Sequence, residues 1–105
     1  MNLDSEKYLE NTLQREVKKK GGRALKWVSP GFNGVPDRIV LLPRKKTPGN
    51  DFPGRVIFVE LKSKGVEPSA IQLYVHDMLR SLGFEVHVID NYRDLVAFTD
   101  SIEYV

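Results

Sequence analysis

Three side chains in this sequence have the types and spacing of a hydrolytic metal site. Asp37 closes the run Gly34-Val35-Pro36-Asp37, and Glu60 and Lys62 flank Leu61 some twenty residues later. Two carboxylates can share a hard divalent cation through oxygen, and a neighbouring ammonium can orient or activate a water. Glu60 and Lys62 lie in the run Arg55 to Lys62, which reads as a strand. Alternation puts them on one face with Val56 and Phe58, and Ile57, Val59 and Leu61 on the other. A charged pair at the fringe of an apolar face needs partners or a task. The plain alternative is a same-face salt bridge, which contributes little if exposed. Asp37 stands at the mouth of a second apolar run, Ile39-Val40-Leu41-Leu42, where it could also cap a turn. If the two runs pair as an antiparallel hairpin, its first and last residues meet, and Asp37 comes to Glu60 and Lys62.

A further acid could come from the first helix. Asp4 or Ser5 can cap a helix running to about Lys20, which Gly21-Gly22 ends, with Leu9, Leu13 and Val17 as its buried stripe. Stepping about 100° per residue from Leu9 puts Glu6 near ~60° and Glu10 near ~100°, both on the core-facing side. Glu6 suits the positive end of the helix dipole. Glu10 lies deeper and lacks that role, although it could pair with Gln14, so it is the better ligand candidate. Gln72 has two readings: it completes a capping box with Ser69, or it reaches the cleft to hold a water or phosphate. His76 reads as a surface residue on the flank of its helix, and His87 as structural in mid-strand.

The remaining elements must carry these residues. Arg23 to Val28 reads as a short strand, Ser29 to Pro36 as turn chemistry, and Asp37 to Leu42 as the second strand. Pro43 to Gly54, with Pro48-Gly49 and Pro53-Gly54, reads as an exposed hairpin loop. Ser69 caps a second helix with the stripe Ile71, Val75, Met78, Leu79 and Leu82, stopped by Gly83. Phe84 to Ile89 is a fourth strand, and Asn91 or Asp94 starts a last helix holding Leu95, Val96 and Phe98. The order α-β-β-β-α-β-α predicts an α/β fold, with a mixed four-stranded sheet flanked by helices.

At 105 residues the expectation is a single domain over 1–105. With no cysteine and only His76 and His87, thiolate sites are excluded and zinc-finger-type HNH chemistry is disfavoured. No apolar run reaches membrane-span length, and Met1-Asn2-Leu3-Asp4 lacks a signal-peptide pattern, so the expected location is the cytoplasm. Charge is unevenly spread. Residues 1–64 hold fourteen basic and seven acidic residues (net +7), and residues 65–105 hold two and seven (net −5). One face is thereby suited to a polyanion, although solvated helix faces that differ in sign would give the same split. Lys18, Lys19, Lys20, Arg23 and Lys26 cluster after the first helix, where lysines also complement its dipole. Arg44, Lys45 and Lys46 lie in the freer loop and could grip a nucleic-acid backbone. Phe32 either stacks on a base or anchors its turn.

Pro36-Asp37 and Glu60-Leu61-Lys62 resemble the two halves of the PD-(D/E)XK nuclease motif. Glu10, Gly21-Gly22, Ser29-Pro30-Gly31, Gly34-Val35-Pro36-Asp37-Arg38, Phe58-Val59-Glu60-Leu61-Lys62 and Gln72 more closely resemble the virus-type replication-repair nuclease (VRR-NUC) family, in its stand-alone phage and prophage form. The resemblance implies a restriction-endonuclease-like core and a Mg²⁺- or Mn²⁺-dependent DNA endonuclease. Asp37, Glu60 and the Leu61 carbonyl would bind metal, with Glu10 a direct or water-mediated ligand. Lys62 would position or deprotonate the attacking water, and Gln72 would support the site. It further implies a homodimer acting on branched DNA such as four-way junctions.

Overall fold

The computed structural model describes residues 2–102. Helix α1 (Glu6–Lys19) begins at Ser5, whose hydroxyl accepts from the Tyr8 N–H, so Ser5 rather than Asp4 is the cap. Strand β1 (Arg23–Lys26) follows, then the loop that leads into β2 (Arg38–Leu42). Beyond it come β3 (Lys45–Thr47), β4 (Asn50–Phe52) and β5 (Arg55–Leu61), then α2 (Ala70–Ser81), β6 (Glu85–Ile89) and α3 (Tyr92–Ser101).

The main sheet runs β1-β2-β5-β6, with β1, β2 and β5 antiparallel and β6 parallel to β5. A parallel neighbour needs a crossover, and α2 supplies it. The mixed four-stranded sheet expected from the sequence is therefore the one found. Its alternation produces two cores. Leu9, Leu13 and Val17 of α1 and Leu95 and Phe98 of α3 close over Val40, Ile57, Val59 and Leu61 on one side. Val75 and Leu79 of α2 meet Phe58 and Val86 on the other, with Trp27 and Ile39 at the margin.

Two elements differ from expectation. The segment 43–54 is not plain loop: β3 and β4 pair as a separate two-stranded ribbon, tied by Arg44 to both carboxylate oxygens of Asp51 at 2.7 and 2.5 Å. Its strands are too polar and exposed to show apolar alternation. The buried face of α2 is also rotated from the expected stripe. At about 100° per residue from Val75, Leu79 lies near ~40°, Gln72 near ~60° and His76 near ~100°, whereas Ile71 and Leu82 lie near ~−40° and ~−20°. The inward side is the first set: Val75, His76 and Leu79 are buried, and Ile71 and Leu82 are exposed.

The loop entering β2 is seated on α2 through Gly34. Its φ is +93°, and an added Cβ would sit 2.9 Å from the Ile71 carbonyl oxygen. Gly31, at φ +79°, has open space around the same position. Gly31→Ala therefore meets only the left-handed backbone penalty of about 1 kcal/mol, while Gly34→Ala adds a backbone clash and should cost about 2–3 kcal/mol. Urea unfolding of the two variants side by side checks this, and equal destabilisation would show that the packing on α2 does not constrain the loop.

Candidate active site

The register of β2 and β5 ends with Arg38 opposite Val59, so the next step places Asp37 opposite Glu60. A backbone bond fixes that step: the Leu61 N–H donates to Asp37 Oδ2 at 2.9 Å. Asp37 is anchored from its other side as well, since its carbonyl accepts from the Trp27 N–H at 2.9 Å. Glu60 is 1% exposed, with Lys62 Nζ 3.8 Å and His76 Nε2 3.6 Å from its two carboxylate oxygens. Gln72 completes the expected capping box and also reaches the Glu60 carboxylate. Its Oε1 accepts from the Ser69 N–H, completing the capping box, and its Nε2 donates to Glu60 Oε2 at 3.3 Å.

Burial pushes the Glu60 carboxyl up to about 8, and the adjacent Asp37 carboxylate adds to the shift, while Lys62 opposes it. Glu60 Oε1 is buried with no hydrogen-bond partner. A small cation beside this oxygen would supply what the protein leaves unpaired.

A cavity of about 160 Å³ opens at this end of the sheet, lined by Glu6, Glu10, Lys26, Asp37 and Leu61. Both helix-one acids border it. Glu10 Oε1 is engaged by Arg38, which also donates to the Ala24 carbonyl at 3.2 Å, so Glu10 pairs with Arg38 and not with Gln14. Among the described residues no group of three His, Cys, Asp or Glu side chains converges closely enough to hold a metal. Donors beyond the Asp37–Glu60 pair would have to be backbone oxygen and water, which suits a hard cation that keeps part of its hydration.

The basic residues divide into two sets. Lys18, Arg23 and Lys26 join Gln14 and Arg38 around a trough of about 290 Å³, and Lys26 belongs to both trough and cleft. Lys19 pairs with Glu16 at 2.9 Å, and Lys20 Nζ donates to the Ile102 carbonyl at 3.2 Å. Arg44, Lys45 and Lys46 lie at the far end of β2, roughly 20 Å along the strand from Asp37. Phe32 is 47% exposed, so it does not anchor its turn in the core.

No family model matches the sequence. The chain is 45% identical over 102 residues to p44, a candidate nuclease of Acyrthosiphon pisum secondary endosymbiont phage 1, covering 97% of this chain and 99% of that protein. A solved VRR_NUC domain superposes with a TM-score of 0.79 at 25% identity, over 93% of this chain and 97% of its own. The chain belongs to the VRR-NUC family.

Two residues of this VRR-NUC domain stand where the sequence pattern does not put them. His76 is fully buried against Glu60, not on the surface. The available signal was Gln72, because residues four apart share a helix face. Arg38 is 8% exposed and shares the inward face of β2 with Val40 and Leu42; a charge at that alternation position requires a partner such as Glu10.

The Glu60 shift has a direction that can be measured. In the fold its carboxyl holds a proton up to about pH 8, whereas a free glutamate releases it near 4.5. Between those values the unfolded chain binds fewer protons, so stability falls as pH rises. In EDTA the urea midpoint of the parent should drop between pH 5 and 8, by the equivalent of about 3 kcal/mol, and Glu60→Gln should flatten that drop. Identical pH profiles for the two proteins would contradict a buried, proton-holding Glu60.

Proposed function

We propose that this chain is a divalent-metal-dependent endonuclease that hydrolyses DNA phosphodiester bonds, using Mg²⁺ or Mn²⁺ and preferring branched DNA such as four-way junctions. The observation that carries this reading is the Asp37–Glu60 pair, with the glutamate Oε1 buried and unpartnered and its Oε2 3.8 Å from Lys62 Nζ. Asp37, Glu60 and the Leu61 carbonyl would hold the cation, with Glu10 or Glu6, at the border of the same cavity, reaching it through water. When bound, the cation supplies Lewis-acid stabilisation of phosphate charge and acidifies a water.

The chain's own residues do the remaining work. Lys62 Nζ, held near Glu60 Oε2, orients the attacking water and offsets the negative charge that develops as the water's proton passes to solvent. Gln72 fixes the rotamer of Glu60 through the Oε2 bond. Arg38 occupies Glu10, keeping that acid at the rim of the cleft. The DNA strand leaves the cleft over Lys26 and runs along the trough toward Lys18 and Arg23. Arg44, Lys45 and Lys46 of the ribbon reach backbone farther out. A homodimer, with two sites related by a two-fold axis, would cut paired strands of a junction. The exposed Leu73, Tyr74, Leu82 and Phe84 give the C-terminal half apolar surface for that pairing.

Asp37→Ala and Lys62→Ala should each abolish cleavage in Mg²⁺ or Mn²⁺ while leaving the circular dichroism spectrum and melting cooperativity intact. Undiminished cleavage by both variants would sink the assignment. If no divalent ion supports cleavage by the parent but DNA binding persists, the chain is a non-catalytic binding module. A panel of labelled duplex, flap, nicked and junction DNAs, with a solution mass, tests branched-DNA preference and the dimer together.

The trough has its own readout. Lys18→Ala combined with Arg23→Ala should weaken DNA binding and lower the slope of log affinity against log salt by about 0.9 for each phosphate no longer neutralised. Fluorescence anisotropy in Ca²⁺ measures it, and an unchanged slope would place the DNA elsewhere.

A further inference from the structure

His76 is a buried polar group to which the proposed chemistry gives no task. It projects from the inward face of α2, is 0% exposed, and neither ring nitrogen has a hydrogen-bond partner. Burying an imidazole without partners is costly, and an apolar side chain of similar size would fill the space without that cost. One other orphaned polar atom faces it: Glu60 Oε1, 3.6 Å from His76 Nε2.

We propose that His76 is a positioning residue, whose ring N–H holds the Oε1 side of the Glu60 carboxylate in the orientation that receives a divalent cation. This role rests on the metal-dependent reading of the same site. Glu60 is clasped from two directions by one helix. Gln72 donates to Oε2, and His76, one helical turn later, faces Oε1. Residues four apart on a helix form such a pair naturally. Metal-binding carboxylates are held by hydrogen bonds from neighbouring groups, and loss of such a bond weakens metal affinity about 10–100-fold. A separation of 3.6 Å is longer than a formed hydrogen bond, and site contacts of this kind tighten when the ligand arrives. Burial, with the nearby Arg80 charge second, holds the His76 imidazole below its usual range. The neutral ring has one N–H to give, and Glu60 Oε1 has two lone pairs, one to accept it and one to face the cation.

The arrangement separates stability from metal affinity. His76→Leu removes an unpaired buried polar group while keeping the volume, so the melting temperature of the metal-free protein should stay level or rise. The same variant should bind Mn²⁺ about 10–100-fold more weakly, read by calorimetry without DNA. His76→Gln keeps a side-chain N–H at similar reach and should recover most of that affinity. Glu60→Ala in parallel reports that the measured ion sits at this site.

His76→Leu binding Mn²⁺ as tightly as the parent overturns the role while leaving the metal reading intact. A His76→Leu variant that loses stability and affinity together, with no recovery in His76→Gln, overturns it by making the imidazole a core-filling group. A parent that binds no Mn²⁺ overturns the metal reading, and the positioning role falls with it.

Discussion

The site depends on one backbone-to-carboxylate bond at the end of a strand pair. The Leu61 N–H donates to Asp37 Oδ2 just past the point where β2 and β5 stop exchanging ladder bonds. This single bond extends the hairpin register by one residue and sets two carboxylates side by side. A slip of one residue would turn every side chain of β5 to the opposite face. Glu60 would then point into the core under α1, and Leu61 would occupy its place. The hydrophobic division between Ile57, Val59 and Leu61 on one side and Phe58 on the other prevents that slip. The same alternation that builds the two cores therefore positions the acids.

That placement costs stability, and the cost is confined to one end of the sheet. A carboxyl that holds its proton to about pH 8 opposes ionisation because burial and Asp37 both act against the charge. The core on the α1–α3 side is predominantly apolar, with Leu9, Leu13, Val17, Val40, Val59 and Leu95 fully buried and Thr12, Arg38 and Thr99 as its buried polar members. Functional sites commonly carry unfavourable electrostatics that the surrounding core offsets. Here the offset comes from the α1–α3 side of the sheet. The orphaned polar atoms of Glu60 and His76 lie on the α2 side.

The scaffold is legible in the sequence because its strands are divided by alternation and its helices by caps. Ser5, Ser69 and Asn91 each accept a backbone N–H at a helix start, and the apolar runs beginning at Ile39 and Val56 mark the central strands. The β3–β4 ribbon is not legible, because Lys45-Lys46-Thr47 and Asn50-Asp51-Phe52 carry no apolar period and bury little. The rotation of α2 is hidden for a different reason. Ile71, Met78 and Leu82 form a plausible stripe, but tertiary context selects the adjacent face, which carries Gln72 and His76. Apolar patterning alone reads helix orientation to within about one residue's arc of ~100°. Glu60 lies on the α2 side of the sheet, so that arc decides which polar residues reach it.

The charge split along the chain becomes a spatial split through the strand order. β1 is one edge of the sheet and carries Arg23 and Lys26, with Lys18 of α1 beside them. β6 is the opposite edge and carries Glu85, with Asp90 just beyond its end. The cleft lies between them, and Lys26 makes the basic edge continuous with it. At the β6 edge Glu85 is paired with Arg55, so the uncompensated charge that could attract a polyanion lies on the β1 side. The strand order thus turns a charge split along the chain into a basic edge that adjoins the cleft.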